Sequence, residues 1–195
     1  NSFCTLLAML NRMPILAALI GLLTTITATD AAEFVFVSDL HVDLYYGMDG
    51  TGLWPCNTTA MGAKYPFGYP DCDAPPRLIE SAWARIEAVL GPDAPRHVVV
   101  AGDWLRHRSN LLTDAQNAAA FEYITRMAAK VAGNATGSSV LPAPALEAAF
   151  GNNDVVPDYF FDYRNATRTP LFRNMTGTLR DLGVLSAAEH ASFAR

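Results

Sequence analysis

Two short runs of apolar, mostly β-branched residues mark the first half of the chain. Residues 33–39 read Glu-Phe-Val-Phe-Val-Ser-Asp, and residues 97–102 read His-Val-Val-Val-Ala-Gly. Each run is apolar without alternation and ends in small or polar residues, a pattern typical of strands buried on both faces of a parallel sheet. Residues 146–150, Leu-Glu-Ala-Ala-Phe, lead into a turn, and we interpret them as a third, short strand.

Helical spacing separates and follows these strands. Apolar residues recur every three or four positions over 76–90, and again from a capping box that begins at Thr113 to Gly133. Two shorter helices are predicted near 171–182 and after Ser186. Strands that alternate with helices predict an α/β fold, in which helices cover both faces of a mainly parallel sheet and right-handed crossovers place the strands side by side.

The first residues have the organisation of a secretory signal peptide. Arg12 precedes the apolar run 13–23, and small, mostly polar residues follow up to Ala31-Ala32. A membrane span needs about 20 apolar residues, more than this run has. We therefore expect residues 1–31 to be a signal peptide with an upstream extension, with an uncleaved signal anchor as the alternative, and residues 32–195 to be the mature domain.

Glycosylation motifs and cysteines agree with a secreted chain. Two cysteines follow the signal segment, and an oxidising lumen favours a disulfide between Cys56 and Cys72 over two buried free thiols. Four Asn-X-Thr sequons follow it as well, at Asn57, Asn134, Asn165 and Asn174. The expected location is the lumen of the secretory pathway, in a lysosome- or vacuole-like compartment or outside the cell.

Composition excludes two broad classes of protein. With 51% hydrophobic and 17% charged residues, the chain is not intrinsically disordered. Fourteen basic residues against nineteen acidic ones give a net charge of −5, with no basic stripe. A nucleic-acid partner is therefore not expected.

Polar residues follow each predicted strand, where ligands of parallel sheets bind. Asp39 and His41 are two positions apart in extended chain, so their side chains project to the same side. Asp103 directly follows the second strand, and Asn152 follows the third. Carboxylate, imidazole and amide groups together suit zinc, iron or manganese.

These residues also form a recognisable series of motifs. Asp39-Leu-His41, Gly102-Asp103 and Gly151-Asn-Asn-Asp154 resemble the D-x-H, G-D and G-N-H-[DE] motifs of calcineurin-like metallophosphoesterases. The resemblance covers the whole mature chain but only the N-terminal half of the family domain. The distal G-H and G-H-x-H segments of the family would lie beyond Arg195, so we expect the 195-residue chain alone to be inactive.

Further motifs narrow the resemblance to one branch. Cys72-Asp-Ala-Pro75 before an apolar helix, and His107 four residues after Asp103, resemble acid sphingomyelinase-like phosphodiesterases and endopolyphosphatases. The segment from Gly151 to Pro157 is most similar to the endopolyphosphatase form, in which Asn replaces a His.

The resemblance implies a role for each matching residue. Asp39 and His41 would bind a first metal, Asp103 would bridge to a second, and Asn152 would bind that second metal. The ions would be zinc, with iron or manganese as alternatives. They would hold a hydroxide that attacks phosphorus.

Proton donation is implied for another residue. Asn153 stands where most relatives have a His, and an amide cannot act as an acid. The donor would then be His107, a later residue or solvent. Arg106 and Arg108 are candidates to contact the phosphate.

The expected substrate is a phosphodiester lipid or polyphosphate. Trp54 and the Tyr45/Tyr46 pair, within the predicted loop 44–76, are candidates for a substrate wall. Membrane contact is expected only through a lipid substrate or an uncleaved anchor. The alternative function is a catalytically inactive paralogue or binding protein with a relic metal site.

Overall fold

A computed structural model describes residues 33–49, 56–91, 96–133, 146–156 and 169–193. All of them belong to one structural unit, Ala32–Arg195. The predicted signal segment, the sequons at Asn134 and Asn165, and Trp54 lie outside the described residues.

Three parallel strands form the sheet, in the order β1-β2-β3. The strands are β1 (Glu33–Val37), β2 (Arg96–Val100) and β3 (Leu146–Ala148). In the register, Val35 pairs with Val98, which in turn pairs with Leu146. The parallel α/β arrangement and the side-by-side order of the strands are therefore confirmed.

The predicted helices are present, and one more lies within the predicted loop. The helices are α1 (Thr59–Lys64), α2 (Pro76–Leu90), α3 (Asp114–Gly133), α4 (Pro170–Asp181) and α5 (Ala187–Phe193). Helix α1 interrupts residues 44–76, and the prediction of an uninterrupted loop there is wrong. Thr58 starts this helix because its side chain accepts a hydrogen bond from the backbone N–H of Met61. Six residues are too few to show a helical period in sequence.

Local sequence explains where the other helices begin and end. Helix α2 starts with a proline at its first position and ends at Gly91, whose φ of 76° suits glycine. Before α3, the backbone N–H of Thr113 donates to the Gln116 side chain, and the backbone N–H of Gln116 donates to the Thr113 hydroxyl. This reciprocal pair is the capping box predicted from the sequence.

One face of the sheet packs on the helices, and the other is open among the described residues. Val35 and Val98 share a buried core with Trp83 of α2 and Phe121 of α3. On the opposite face, Phe34 and Phe36 are 67% and 70% exposed. The prediction of a first strand buried on both faces, under helices on both sides, is wrong for the described part of the chain. A continuous apolar run makes both faces apolar, but it does not specify which elements cover them.

Cys56 and Cys72 form a disulfide that ties α1 to the segment before α2. The Cα atoms of Cys56 and Cys72 are 5.8 Å apart. Among the described helices, none is both long and apolar enough to cross a bilayer.

The two described sequons differ in their surroundings. Asn174 lies exposed on α4, where a glycan has room. Asn57 is only 3% exposed, and its Nδ2 donates to Asp43 Oδ2 at 3.0 Å. Glycans attach at that nitrogen, so a glycan on Asn57 would have to be accommodated at a buried contact. The glycosylation of Asn57 stays a prediction.

Candidate metal centre

Three of the predicted ligands meet at the carboxyl edge of the sheet. The ligand atoms of Asp39, His41 and Asp103 all lie within 4.8 Å of one another. His41 Nε2 is 3.8 Å from Asp39 Oδ1 and 3.9 Å from Asp103 Oδ2. Ligands that each lie about 2.0–2.2 Å from a shared zinc ion are separated by distances of this order.

The backbone at these three residues is unusual. Their φ angles are 56°, 40° and 55° for Asp39, His41 and Asp103, all in the left-handed region. Such conformations cost on the order of 1–3 kcal/mol for residues other than glycine and are concentrated at functional sites. Backbone hydrogen bonds hold them in place, from Asp39 N to Gly102 O at 3.2 Å and from His41 N to Asp103 O at 2.9 Å.

The hydrogen bonds of His41 prepare its Nε2 for a cation. His41 Nδ1 lies 3.1 Å from the carbonyl oxygen of Leu105. A carbonyl only accepts, so Nδ1 carries the proton and Nε2 presents a lone pair. Metal-binding histidines are commonly oriented by this kind of bond. The lone pair of His41 Nε2 and the carboxylates of Asp39 and Asp103 are all acceptors, and no hydrogen-bond donor lies between them among these three groups. A bound cation would stabilise this arrangement.

Asp154 connects the turn after β2 to the turn after β3. Its oxygens accept hydrogen bonds at 2.7–2.9 Å from four backbone N–H groups, those of Gly151, Asp103, Trp104 and Leu105. Burial raises the pKa of Asp154 to about 7, even though most of these hydrogen bonds act in the opposite direction. No role was predicted for Asp154 from the sequence, although it belongs to the Gly-Asn-Asn-Asp turn.

Two glycines allow these turns to touch. A Cβ on Gly102 would lie 2.6 Å from the nitrogen of Gly151, and Gly102 has a φ of 98°. A Cβ on Gly151 would lie 2.5 Å from the backbone nitrogen of Asp103. Side chains at either position would therefore push Asp103 away from the other ligands.

The two asparagines of the third motif lie in different surroundings. Asn152 is exposed. Asn153 is only 1% exposed, and its backbone N–H donates to Asp103 Oδ1 at 2.9 Å. The side-chain oxygen of Asn153 is buried without a hydrogen-bond partner. A buried amide oxygen without a hydrogen-bond partner can accept a cation, whereas the assignment of Asn152 as the amide ligand stays a prediction.

A second cluster of metal-ligating side chains lies beside the first, and it was not predicted as a cluster from the sequence. His41, Asp73 and His107 also bring ligand atoms within 4.8 Å of one another. His107 Nδ1 is 2.6 Å from Asp73 Oδ1, and the rings of His107 and His41 are stacked. Asp73 was not among the ligands predicted from the sequence. The Cys-Asp-x-Pro motif that contains it was the signal that could have identified it.

A cleft of about 450 Å³ opens over both clusters. Phe67 and Tyr69, both partly exposed, lie in its wall. The described residues that line it do not include Tyr45 or Tyr46. Tyr46 is buried and its hydroxyl donates to a backbone carbonyl, so the expectation that it lines the substrate wall is wrong.

Arg106 also has a role different from the expected one. It is buried, and its Nη1 donates to the equally buried Asp43 at 2.9 Å. Its charge is neutralised there, so it is not free to bind a phosphate.

A scan against protein-family models finds no match, and a search of curated proteins finds no significant relative.

Proposed function

We propose that this protein is a metal-dependent hydrolase of phosphoester or phosphoanhydride bonds in the secretory lumen. Its type would be that of the calcineurin-like metallophosphoesterases, in the acid sphingomyelinase-like or endopolyphosphatase branch. One observation carries the proposal: Asp39, His41 and Asp103 converge in left-handed backbone at the edge of the sheet. The family assignment depends on the motifs that these residues form.

The donor set suits a divalent metal ion, and a second ion is implied only by the resemblance. Two carboxylates and an imidazole are hard and borderline ligands that suit zinc, iron or manganese. The buried side-chain oxygen of Asn153 has no hydrogen-bond partner, and the backbone N–H of the same residue holds the carboxylate of Asp103; an amide ligand from Asn152 or Asn153 would complete the set. When bound, such ions would supply Lewis acidity, which lowers the pKa of water and neutralises phosphate charge.

The chain itself would hold and orient the reacting groups. Leu105 fixes the ring of His41, and the backbone N–H of Asn153 fixes the carboxylate of Asp103. His107 lies in the same cleft and can hydrogen-bond a phosphate oxygen. Since bound cations supply the positive charge, a protein with a net charge of −5 can still bind a polyanion.

Two substrate classes fit different features of the site. Phe67 and Tyr69 give the cleft an aromatic wall that would contact the organic part of a phosphodiester lipid. Asn153, through the resemblance to endopolyphosphatases, favours polyphosphate. Product analysis with sphingomyelin-containing vesicles and with long-chain polyphosphate would distinguish these classes.

Metal binding tests the site directly. Titration of the chelator-treated natural gene product with Co²⁺, followed by visible absorption, should show saturable binding. Asp103→Asn and Asp39→Asn should weaken it by more than the roughly 10–100-fold that the loss of an outer-shell partner costs. Asp181→Asn, an exposed carboxylate on α4, is the matched control and should bind as the wild type does.

Hydrolysis tests the function. The natural gene product, purified from a secretory host, should hydrolyse bis-p-nitrophenyl phosphate, and a chelator or Asp103→Asn should abolish the activity. Metal binding without hydrolysis of any phosphate substrate would refute the enzyme and favour a binding protein with a relic site. Absence of metal binding would refute the site itself.

A further inference from the structure

Asp73 and His107 form a tight pair beside the metal centre. His107 Nδ1 lies 2.6 Å from Asp73 Oδ1. The Asp73 side chain is 10% exposed, whereas that of His107 is 52% exposed. A carboxylate accepts hydrogen bonds and does not donate them, so Nδ1 carries the ring proton and Nε2 is left bare. A buried carboxylate thus anchors an exposed imidazole.

The backbone places this pair next to the predicted ligands. The N–H of Ala74 donates to the carbonyl of His41, and the N–H of Asp43 donates to the carbonyl of Ala74, both at 2.9 Å. Val42 bridges in parallel to Ala74 on one side and to Leu105 on the other. Asp73 is therefore fixed relative to His41 by strand-like hydrogen bonds.

Ring stacking explains why His41, Asp73 and His107 are not a metal site of their own. The centroids of the two imidazoles are 4.1 Å apart, and their planes differ by 19°. Nitrogen lone pairs lie in the ring planes, so those of two nearly parallel rings cannot converge on one ion about 2.0–2.1 Å away. His41 and His107 instead share one arrangement, with Nδ1 bonded to a protein oxygen and Nε2 free.

We propose that Asp73 is a positioning residue that holds the His107 ring in the Nδ1–H tautomer, with Nε2 available to the departing oxygen of the substrate. The inference rests on the proposed hydrolysis. Water attacks phosphorus, and as the bond to the leaving oxygen breaks, protonated His107 gives its Nε2 proton to that oxygen. The proton released by the attacking water restores the ring. Asp73 keeps the orientation of the ring, but it does not touch the substrate.

The tautomer can be read without any enzymatic activity. Long-range ¹H–¹⁵N spectra of the ¹⁵N-histidine-labelled chain at alkaline pH should show Nδ1 protonated and Nε2 bare for His107. Asp73→Ala should shift His107 to a mixture in which Nε2–H dominates, as in an unconstrained imidazole. His97 provides an internal control, because its Nε2 contacts Glu147 at 3.0 Å. Glu147→Ala should alter the signals of His97 and leave those of His107 unchanged.

A second variant covers the case in which Asp73→Ala does not fold. Asp73→Asn keeps the shape of the side chain and removes its charge, so it should also populate the Nε2–H form. Unchanged His107 signals in a folded Asp73 variant, or an Nε2–H tautomer in the wild type, would overturn the proposal.

Kinetics separate this proposal from the proposed function. In the natural gene product, Asp73→Ala should lower kcat by about 10–100-fold for a phosphodiester with an alkyl leaving group, with KM nearly unchanged. The loss should be smaller for a p-nitrophenyl ester, whose leaving group departs without a proton. Equal losses on both substrates would overturn the positioning role while leaving the hydrolase intact. Absence of all hydrolysis by the wild type would refute the proposed function and the catalytic role of His107, while the spectra would still report whether Asp73 sets its tautomer.

Discussion

Gly151→Ala should test whether the contact between two turns builds the metal centre. The added Cβ would lie 2.5 Å from the backbone nitrogen of Asp103, whereas real Cβ atoms do not approach other atoms closer than 3.0 Å. Rotation of the Asp103 side chain cannot relieve a clash with its own backbone. One of the two turns must therefore move by about 0.5 Å or more.

Such a movement affects both stability and metal binding. Overpacking of this kind costs about 1–3 kcal/mol. The backbone N–H of Asp103 also donates to Asp154 at 2.9 Å, and displacement of the turn would lengthen that bond. Since Asp103 is the proposed bridging ligand, affinity for Co²⁺ should fall in the same variant. Gly177→Ala is the matched control: a Cβ there meets nothing within 4 Å, and alanine within α4 should stabilise the chain by about 0.5–1 kcal/mol.

Urea unfolding and Co²⁺ titration of the two variants, side by side with the wild type, give both quantities. The expected result is a lower free energy of unfolding and weaker metal binding for Gly151→Ala, against a small gain in stability and unchanged binding for Gly177→Ala. If Gly151→Ala is as stable as the wild type and binds the metal equally well, the contact between the turns after β2 and β3 does not position Asp103.

Three further predictions follow from buried groups. The pKa of Asp154 is raised from 3.8 to about 7 in the folded chain, so the folded chain keeps a proton over a pH range in which the unfolded chain has lost it. The free energy of unfolding of the chelator-treated protein should therefore fall as the pH rises from about 4 to about 7. Asp154→Asn should flatten that slope in urea titrations. Replacement of both Cys56 and Cys72 by serine frees a loop with a sequence separation of 16 and should lower the free energy of unfolding by about 3 kcal/mol, whereas a loss below 1 kcal/mol would contradict the loop argument. Asp43→Ala removes the nearest carboxylate from the buried Arg106 and leaves it only Asp73, whose Oδ2 is 3.8 Å from its Nε; the expected cost is up to about 3–5 kcal/mol in thermal or urea unfolding, and a variant as stable as the wild type would show that the pair with Asp43 is not needed.

Local signals in the sequence were sufficient for most of the secondary structure. The capping box at Thr113, the proline at the start of α2 and Gly91 at its end each act within a few residues. Apolar runs were sufficient for the strands and, with crossover handedness, for their order. Helix α1 was missed because six residues carry no measurable period.

Part of the candidate site was also predictable, because its spacing is local. Asp39 and His41 are neighbours, and each of the other predicted ligands follows directly after a strand end. The difference in burial between Asn152 and Asn153 was not predictable, because adjacent residues in a turn have the same local sequence context and only the fold decides which one is buried. The pairing of Asp73 with His107 joins residues 34 positions apart and depends on the bridges that Val42 makes.

By itself, then, the sequence determined which segments become strands and helices, and which polar residues stand at the strand ends. Only the tertiary structure decided which of those residues are buried, which hydrogen-bond partners they have, and what covers each face of the sheet. Asn57 illustrates the difference: its sequon satisfies every local rule, yet a contact with Asp43 buries the nitrogen to which a glycan would attach. Phe34 and Phe36 illustrate it as well, since their apolar character is local, whereas the layer that would cover them is not. Burial is a property of the whole assembly of elements, and a short stretch of sequence specifies it only in part.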